Sequence, residues 1–131
     1  MATEQLVRSE IDAGLQLVKA LDEGGFGVAA ALWLYSSDPE SWKFVIATDA
    51  KPEALEKKYL EAATIASKWR AQNPDRPILD LSWVRIVSVN DPLIKGLRPI
   101  LRVDGLSEVR FSHNMINGIY VEDALIHRLA A

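Results

Sequence analysis

Residues 110–129 read RFSHNMINGIYVEDALIHRL, and the Asn117-Gly118 pair inside this stretch decides how the predicted sheet is completed. Apolar and polar residues alternate on both sides of the pair, a pattern typical of β-strands. Asn and Gly both tolerate the positive φ angles of a two-residue type I′ turn. The stretch therefore predicts a β-hairpin. The alternative is a helix over residues 120–129, with Glu122 and Asp123 in its first turn.

A turn at Asn117-Gly118 also predicts which residues oppose one another across the hairpin. The expected pairs are Ile116 with Ile119, Met115 with Tyr120, His113 with Glu122, Phe111 with Ala124 and Val109 with Ile126. His113 and Glu122 would form one polar pair on an otherwise apolar face. We interpret the pair as an ordinary polar contact of the sheet. The alternatives are a pH-sensitive latch, because Glu122 would favour the charged imidazole, or an acid–base dyad.

The rest of the chain predicts a single α+β domain over residues 1–131, in the element order α-β-β-α-β-α-β-β. The apolar spacing predicts helices over residues 3–22, 51–73 and 92–97, and strands over residues 28–35, 42–48 and 81–89. Asp91 and Pro92 suit the start of the third, short helix. We expect a mainly antiparallel sheet of about five strands, packed with two main helices and one short helix.

Composition excludes several classes of function. Lysine and arginine are scattered among carboxylates at a net charge of −3, which argues against a nucleic-acid partner. The chain has no cysteine, so disulfides and thiolate metal sites are excluded. We expect no cofactor. No leader precedes an apolar stretch, and no stretch reaches the roughly 18 apolar residues of a membrane helix, so a cytoplasmic location with no membrane partner is predicted.

One pattern suggests magnesium chemistry. Asp49 and Lys51 follow an apolar strand as D-x-K, and Asp38 lies in the preceding turn. Nuclease-like hydrolases use two carboxylates to hold Mg²⁺ and a lysine to orient the attacking water. The competing interpretation makes Asp49 a helix cap and leaves Lys51 in solvent.

The aromatic residues of the first predicted hairpin suggest a contact surface instead. Trp33, Tyr35 and Trp42 lie on strands that carry apolar residues on both faces. Helices on one side of the sheet would leave the second face open, and an open apolar face marks an interface. The leading hypothesis is therefore a non-catalytic interaction or regulatory module, homodimeric and joined to a larger protein partner. The alternatives are the Mg²⁺-dependent hydrolase and a small-ligand sensor with a pocket that gathers His113, Glu122 and Asp123.

Overall fold

The computed structural model describes residues 6–37 and 40–130. It confirms the α+β fold and the predicted element order. The helices and strands are α1 (Arg8–Glu23), β1 (Ala30–Ser37), β2 (Glu40–Thr48), α2 (Leu55–Gln72), β3 (Val84–Ser88), α3 (Pro92–Leu97), β4 (Val109–Ile116) and β5 (Ile119–Leu129). Short 3₁₀ turns at Pro52–Ala54 and Leu81–Trp83 precede α2 and β3.

The five strands form one sheet in the order β3-β2-β1-β5-β4. Neighbouring strands are antiparallel except β2 and β3, which run parallel and are joined through α2. A parallel pair needs a long crossover, and α2 supplies it. β5 therefore lies inside the sheet between β1 and β4, and the two edges are β3 and β4.

The first face of the sheet packs against α1 and α2. Ile11, Gly14, Val18 and Leu21 recur at helical spacing and lie on the buried side of α1. Ala62 and Ala66 on α2 join the same hydrophobic core. This face agrees with the two-helix layer that the sequence predicts.

The second face of the sheet is also covered, contrary to the expectation of an open apolar face. Leu93, Ile94 and Leu97 of α3 pack against it, and the irregular segment after α3 adds Val103. The backbones of Val103 and Leu129 exchange two hydrogen bonds that fasten this segment beside β5. The apolar residues of the second face are therefore used for packing within the chain.

The second hairpin has the predicted turn and register. Asn117 and Gly118 have φ angles of 50° and 79°, as a two-residue type I′ turn requires. Residues 120–129 are strand and not helix, so the alternative interpretation of this stretch is wrong. The turn rests on α3, where the Asn117 side-chain amide donates a hydrogen bond of 3.0 Å to the carbonyl oxygen of Pro92.

The start of α3 confirms the predicted cap. The Asp91 carboxylate accepts a hydrogen bond of 3.0 Å from the backbone N–H of Leu93, and Pro92 occupies the first turn. Among the described residues, no helix combines the length and the apolar character that a bilayer crossing requires.

Candidate functional site

The aromatic side chains of the first hairpin lie inside the chain. Trp33, Tyr35 and Trp42 are all buried on the first face of the sheet. The Trp33 ring lies 5.0 Å from the ring of Phe44 and 6.0 Å from that of Trp83, measured between centroids. Such tilted and edge contacts are typical of aromatic core packing. These side chains are therefore not available to a partner in this fold, contrary to the expected interface.

His113 does not pair with Glu122 as the register would suggest. His113 has a φ of 52°, which turns its peptide units away from a regular ladder and interrupts the pairing at this position alone. The exposed imidazole instead places Nδ1 3.2 Å from the hydroxyl oxygen of Tyr120. Positive φ is uncommon outside glycine, and nothing in the alternating pattern signals it. The predicted His113–Glu122 pair is therefore not formed in the structure.

A different charged pair joins the two strands. The Arg110 guanidinium donates to both carboxylate oxygens of Asp123, at 2.8 and 2.6 Å, and lies over the ring of Trp42. The Asp123 carboxylate raises the pKa of Arg110 by stabilising its cation. Since both oxygens of Asp123 are occupied by Arg110, the carboxylate serves the hairpin rather than a histidine.

The second histidine, His127, is buried in the core beside Phe44. Its Nδ1 lies 2.6 Å from the carbonyl oxygen of Ser107, so Nδ1 carries the proton and donates it. Its Nε2 has no hydrogen-bond partner among the described residues. Burial lowers the pKa of His127, and the Ser107 carbonyl only partly opposes this effect. The imidazole is thus a neutral core group, a role that its place in an alternating strand does not reveal.

The residues proposed for magnesium chemistry are not assembled into a metal centre in the part of the chain described. Asp49 and Lys51 are both exposed, and Asp38 lies outside the described residues. No group of three or more His, Asp or Glu side chains suited to a metal occurs in residues 6–37 and 40–130. Asp49 is not a helix cap either, because the turn at Pro52 begins after Lys51 and has no side-chain cap.

A cavity of about 470 Å³ lies where β2 and β3 end. Two charged residues line it: Asp49 directly after β2, and Arg98 directly after α3. The other lining residues are Gly27, Val28, Ala29 and Val89. Arg98 donates a hydrogen bond of 2.6 Å to the carbonyl oxygen of Val89, which holds its guanidinium at the cavity. Arg98 was not predicted from the sequence, because four separate places in the chain form this cavity and no short motif joins them.

The tip of the second hairpin carries exposed apolar side chains. Met115 is 63% exposed, Tyr120 54% and Ile119 36%, and Met115 lies directly opposite Tyr120 in the register. We call these three residues the hairpin tip. β4 beside them is an edge strand, with no strand neighbour on its outer side among the described residues. The hairpin tip therefore exposes apolar side chains next to an open edge, with Met115 and Tyr120 together on one face and Ile119 on the other.

Comparison of the chain with protein-family models, with curated proteins and with solved structures finds no match in any of the three.

Proposed function

We propose that the chain is a small protein-interaction module that pairs with a second copy of itself through the hairpin tip. The observation that carries the proposal is the exposure of Met115 and Tyr120, directly opposite each other at the end of an edge hairpin, with Ile119 exposed on the other face. Neighbouring exposed apolar side chains favour a contact that removes them from water. The module is proposed to act by contact and not by catalysis. A larger protein partner and a cytoplasmic location stay predictions from the sequence.

The two edges of the sheet differ, and the difference favours the β4 side. At the β3 edge the backbone N–H of Ile86 donates a hydrogen bond of 2.8 Å to the hydroxyl of Tyr59 on α2. α2 thus covers part of that edge, and β3 has only five residues. β4 has eight residues, and no comparable cover is found among the described residues. An uncovered edge is where a further chain can approach.

The kink at His113 limits how a partner can use this edge. Its positive φ interrupts the regular ladder in the middle of β4. Such irregularities oppose continuous pairing between edge strands. The proposal therefore assigns the contact to the side chains of the hairpin tip and not to a backbone ladder along the whole strand.

A second copy of the chain is the simplest partner, because it already carries the same exposed residues and no other surface has to be assumed. Two-fold pairing brings the same patch of each subunit together, so one self-complementary apolar cluster is sufficient. Stable dimers bury about 800 Å² on each partner, whereas three side chains contribute only a few hundred. We therefore expect weak, concentration-dependent association with a dissociation constant in the micromolar range.

Sedimentation velocity between about 10 and about 500 μM, a range that spans the expected weak association, tests the proposal. The wild-type mass should rise from 14.6 kDa toward twice that value as the concentration increases. Met115→Ser should keep the chain monomeric. The matched control is Leu60→Ser on α2, because Leu60 is 67% exposed against 63% for Met115. Tyr120→Phe keeps the ring and loses only the contact with His113, so it should still associate.

Two outcomes would contradict the proposal. One is a wild-type mass that stays at 14.6 kDa over the whole concentration range. The other is association that Leu60→Ser abolishes and Met115→Ser does not, which would move the contact to α2.

A further inference from the structure

The cavity lies at the ends of β2 and β3, two neighbouring parallel strands whose following connections leave on opposite faces of the sheet. From β2 the chain passes to α2 on the first face, and from β3 it passes to α3 on the second face. In sheets with parallel strands, ligands bind outside the carboxyl ends of neighbouring strands whose connections leave on opposite faces. Asp49 and Val89 are the first residues after the two strands, and both line the cavity. The topology alone therefore places a crevice at this position.

Arg98 brings a positive charge that no carboxylate of the described residues neutralises. Its guanidinium donates to the Val89 carbonyl through Nη2, and its Nε is buried without a hydrogen-bond partner in the described part of the chain. None of the salt bridges found in residues 6–37 and 40–130 includes Arg98. A guanidinium held in this way retains donors in a planar fork that suits a carboxylate.

Asp49 brings the opposite charge to the same cavity without pairing with Arg98. It forms no ion pair within 4.0 Å with any described residue, so the two charges are held apart rather than joined. A dianion such as phosphate would be attracted by Arg98 and repelled by Asp49. A ligand that carries one negative and one positive group satisfies both residues.

We propose that this cavity binds a small zwitterion of the amino-acid type, with its carboxylate at Arg98 and its ammonium group at Asp49. Val28, Ala29 and Val89 supply apolar wall for the remainder of the ligand. The volume of about 470 Å³ lies within the range of small-molecule sites, which combine apolar walls with few polar groups. The site does not depend on self-association, since neither Arg98 nor Asp49 belongs to the hairpin tip.

Titration of the isotope-labelled full chain with each common L-amino acid, followed by the amide signals of Gly27 and Val89, tests the site. At least one amino acid should bind with a dissociation constant of about 1 mM or below. Acetate and methylamine, which carry one charge each, should bind at least about tenfold more weakly, because each satisfies only one of the two residues.

Variants identify the residues responsible. Arg98→Gln and Asp49→Asn should each weaken amino-acid binding about tenfold or more, since each removes one charge contact. Arg102→Gln and Asp104→Asn are the matched controls, because these residues form an exposed ion pair outside the cavity and should leave binding unchanged. Asp49 is exposed and forms no ion pair with another described residue, so Asp49→Asn tests the site even if Arg98→Gln fails to fold.

The proposal is overturned if no amino acid shifts these signals at about 10 mM, well above the expected dissociation constant. It is overturned equally if inorganic phosphate binds more tightly than every amino acid. Binding that both Asp49→Asn and Arg98→Gln leave intact would place the ligand elsewhere. Met115→Ser should bind the amino acid as wild type does, which separates this result from any failure of the self-association proposal.

Discussion

The first hairpin, β1–β2, and the second, β4–β5, differ in which of their large apolar side chains reach the surface. The first carries Trp33, Tyr35 and Trp42, and all three are buried. The second buries part of its apolar residues in the core but exposes Met115 and Tyr120. β1 and β2 lie inside the sheet with packed layers on both faces, whereas β4 forms an edge. Position in the sheet, and not aromatic content, therefore decides which hairpin can meet a partner.

The largest effect expected from this comparison is the loss of an aromatic side chain in the first hairpin. Trp33→Ala removes a fully buried indole between Phe44 and Trp83, and we expect the free energy of unfolding to fall by about 3–5 kcal/mol. Met115→Ala in the second hairpin should change it by no more than about 0.5 kcal/mol. Urea unfolding followed by tryptophan fluorescence and circular dichroism measures both. Equal losses for the two variants would contradict the comparison.

A smaller effect is expected where the second hairpin rests on α3. A methyl group at Gly96 would meet the side chains of Ile116 and Asn117 at less than van der Waals distance. Gly96→Ala should therefore push the hairpin from α3 and lower the free energy of unfolding by about 1–3 kcal/mol. Gly105→Ala is the control, since a methyl group there meets no atom of the described residues within 4 Å. A Gly96→Ala chain as stable as wild type would show that this contact is loose.

The smallest effect is a pH dependence that arises from His127. Its folded-state pKa lies below that of the unfolded chain because it is buried. As the pH falls below about 6.5, the unfolded chain therefore takes up a proton that the folded chain refuses, and stability declines until the folded pKa is reached. The loss is at most about 1.4 kcal/mol for each pH unit. Above that window His127 contributes no pH dependence.

Urea unfolding at a series of pH values between about 7.5 and 5.5, which brackets the ordinary histidine pKa, checks this expectation. The carboxylates with lowered pKa values, Glu108 beside Arg8 and Asp80 beside the Ser82 N–H, lose their contribution only at lower pH. His127→Gln should flatten the dependence within the window. A slope that persists in this variant would assign the effect to another group.

Local patterns predicted most of the architecture. The Asn117-Gly118 turn fixed the register of β4 and β5, because alternation and turn chemistry act over a few residues. The same reasoning failed at His113, where a single backbone angle departs from the ladder. The prediction of an open apolar second face of the sheet was also wrong, because α3 and the irregular segment through Val103 cover that face. That cover depends on where the chain returns in space, which periodicity does not encode.

The candidate sites were harder to predict than the fold. Asp49 was singled out for a D-x-K pattern, but its neighbour across the cavity is Arg98, and the pattern contains no signal for it. Regular alternation places Met115 and Tyr120 on the same face as Phe111 and Ala124, so it gives no signal that the hairpin tip alone is exposed. The positive φ of His113 interrupts the strand ladder between the exposed hairpin tip and the buried residues of β4 and β5. In both sites the residues come together only in the folded chain, and the sequence alone does not show that they are neighbours.

The central place of β5 has a consequence for how the chain reaches its fold. β1 and its neighbour β2 are close together in the sequence. The other neighbour of β1 is β5, which is far away in the sequence, since Ala30 pairs with Leu129. During synthesis the nascent chain therefore displays one unpaired side of an aromatic strand until β5 has left the ribosome. Pairing over such separations is slow and prone to aggregation. Chaperone dependence during translation should accordingly be greatest before β5 emerges, and shortening the chain ahead of β5 should yield insoluble protein.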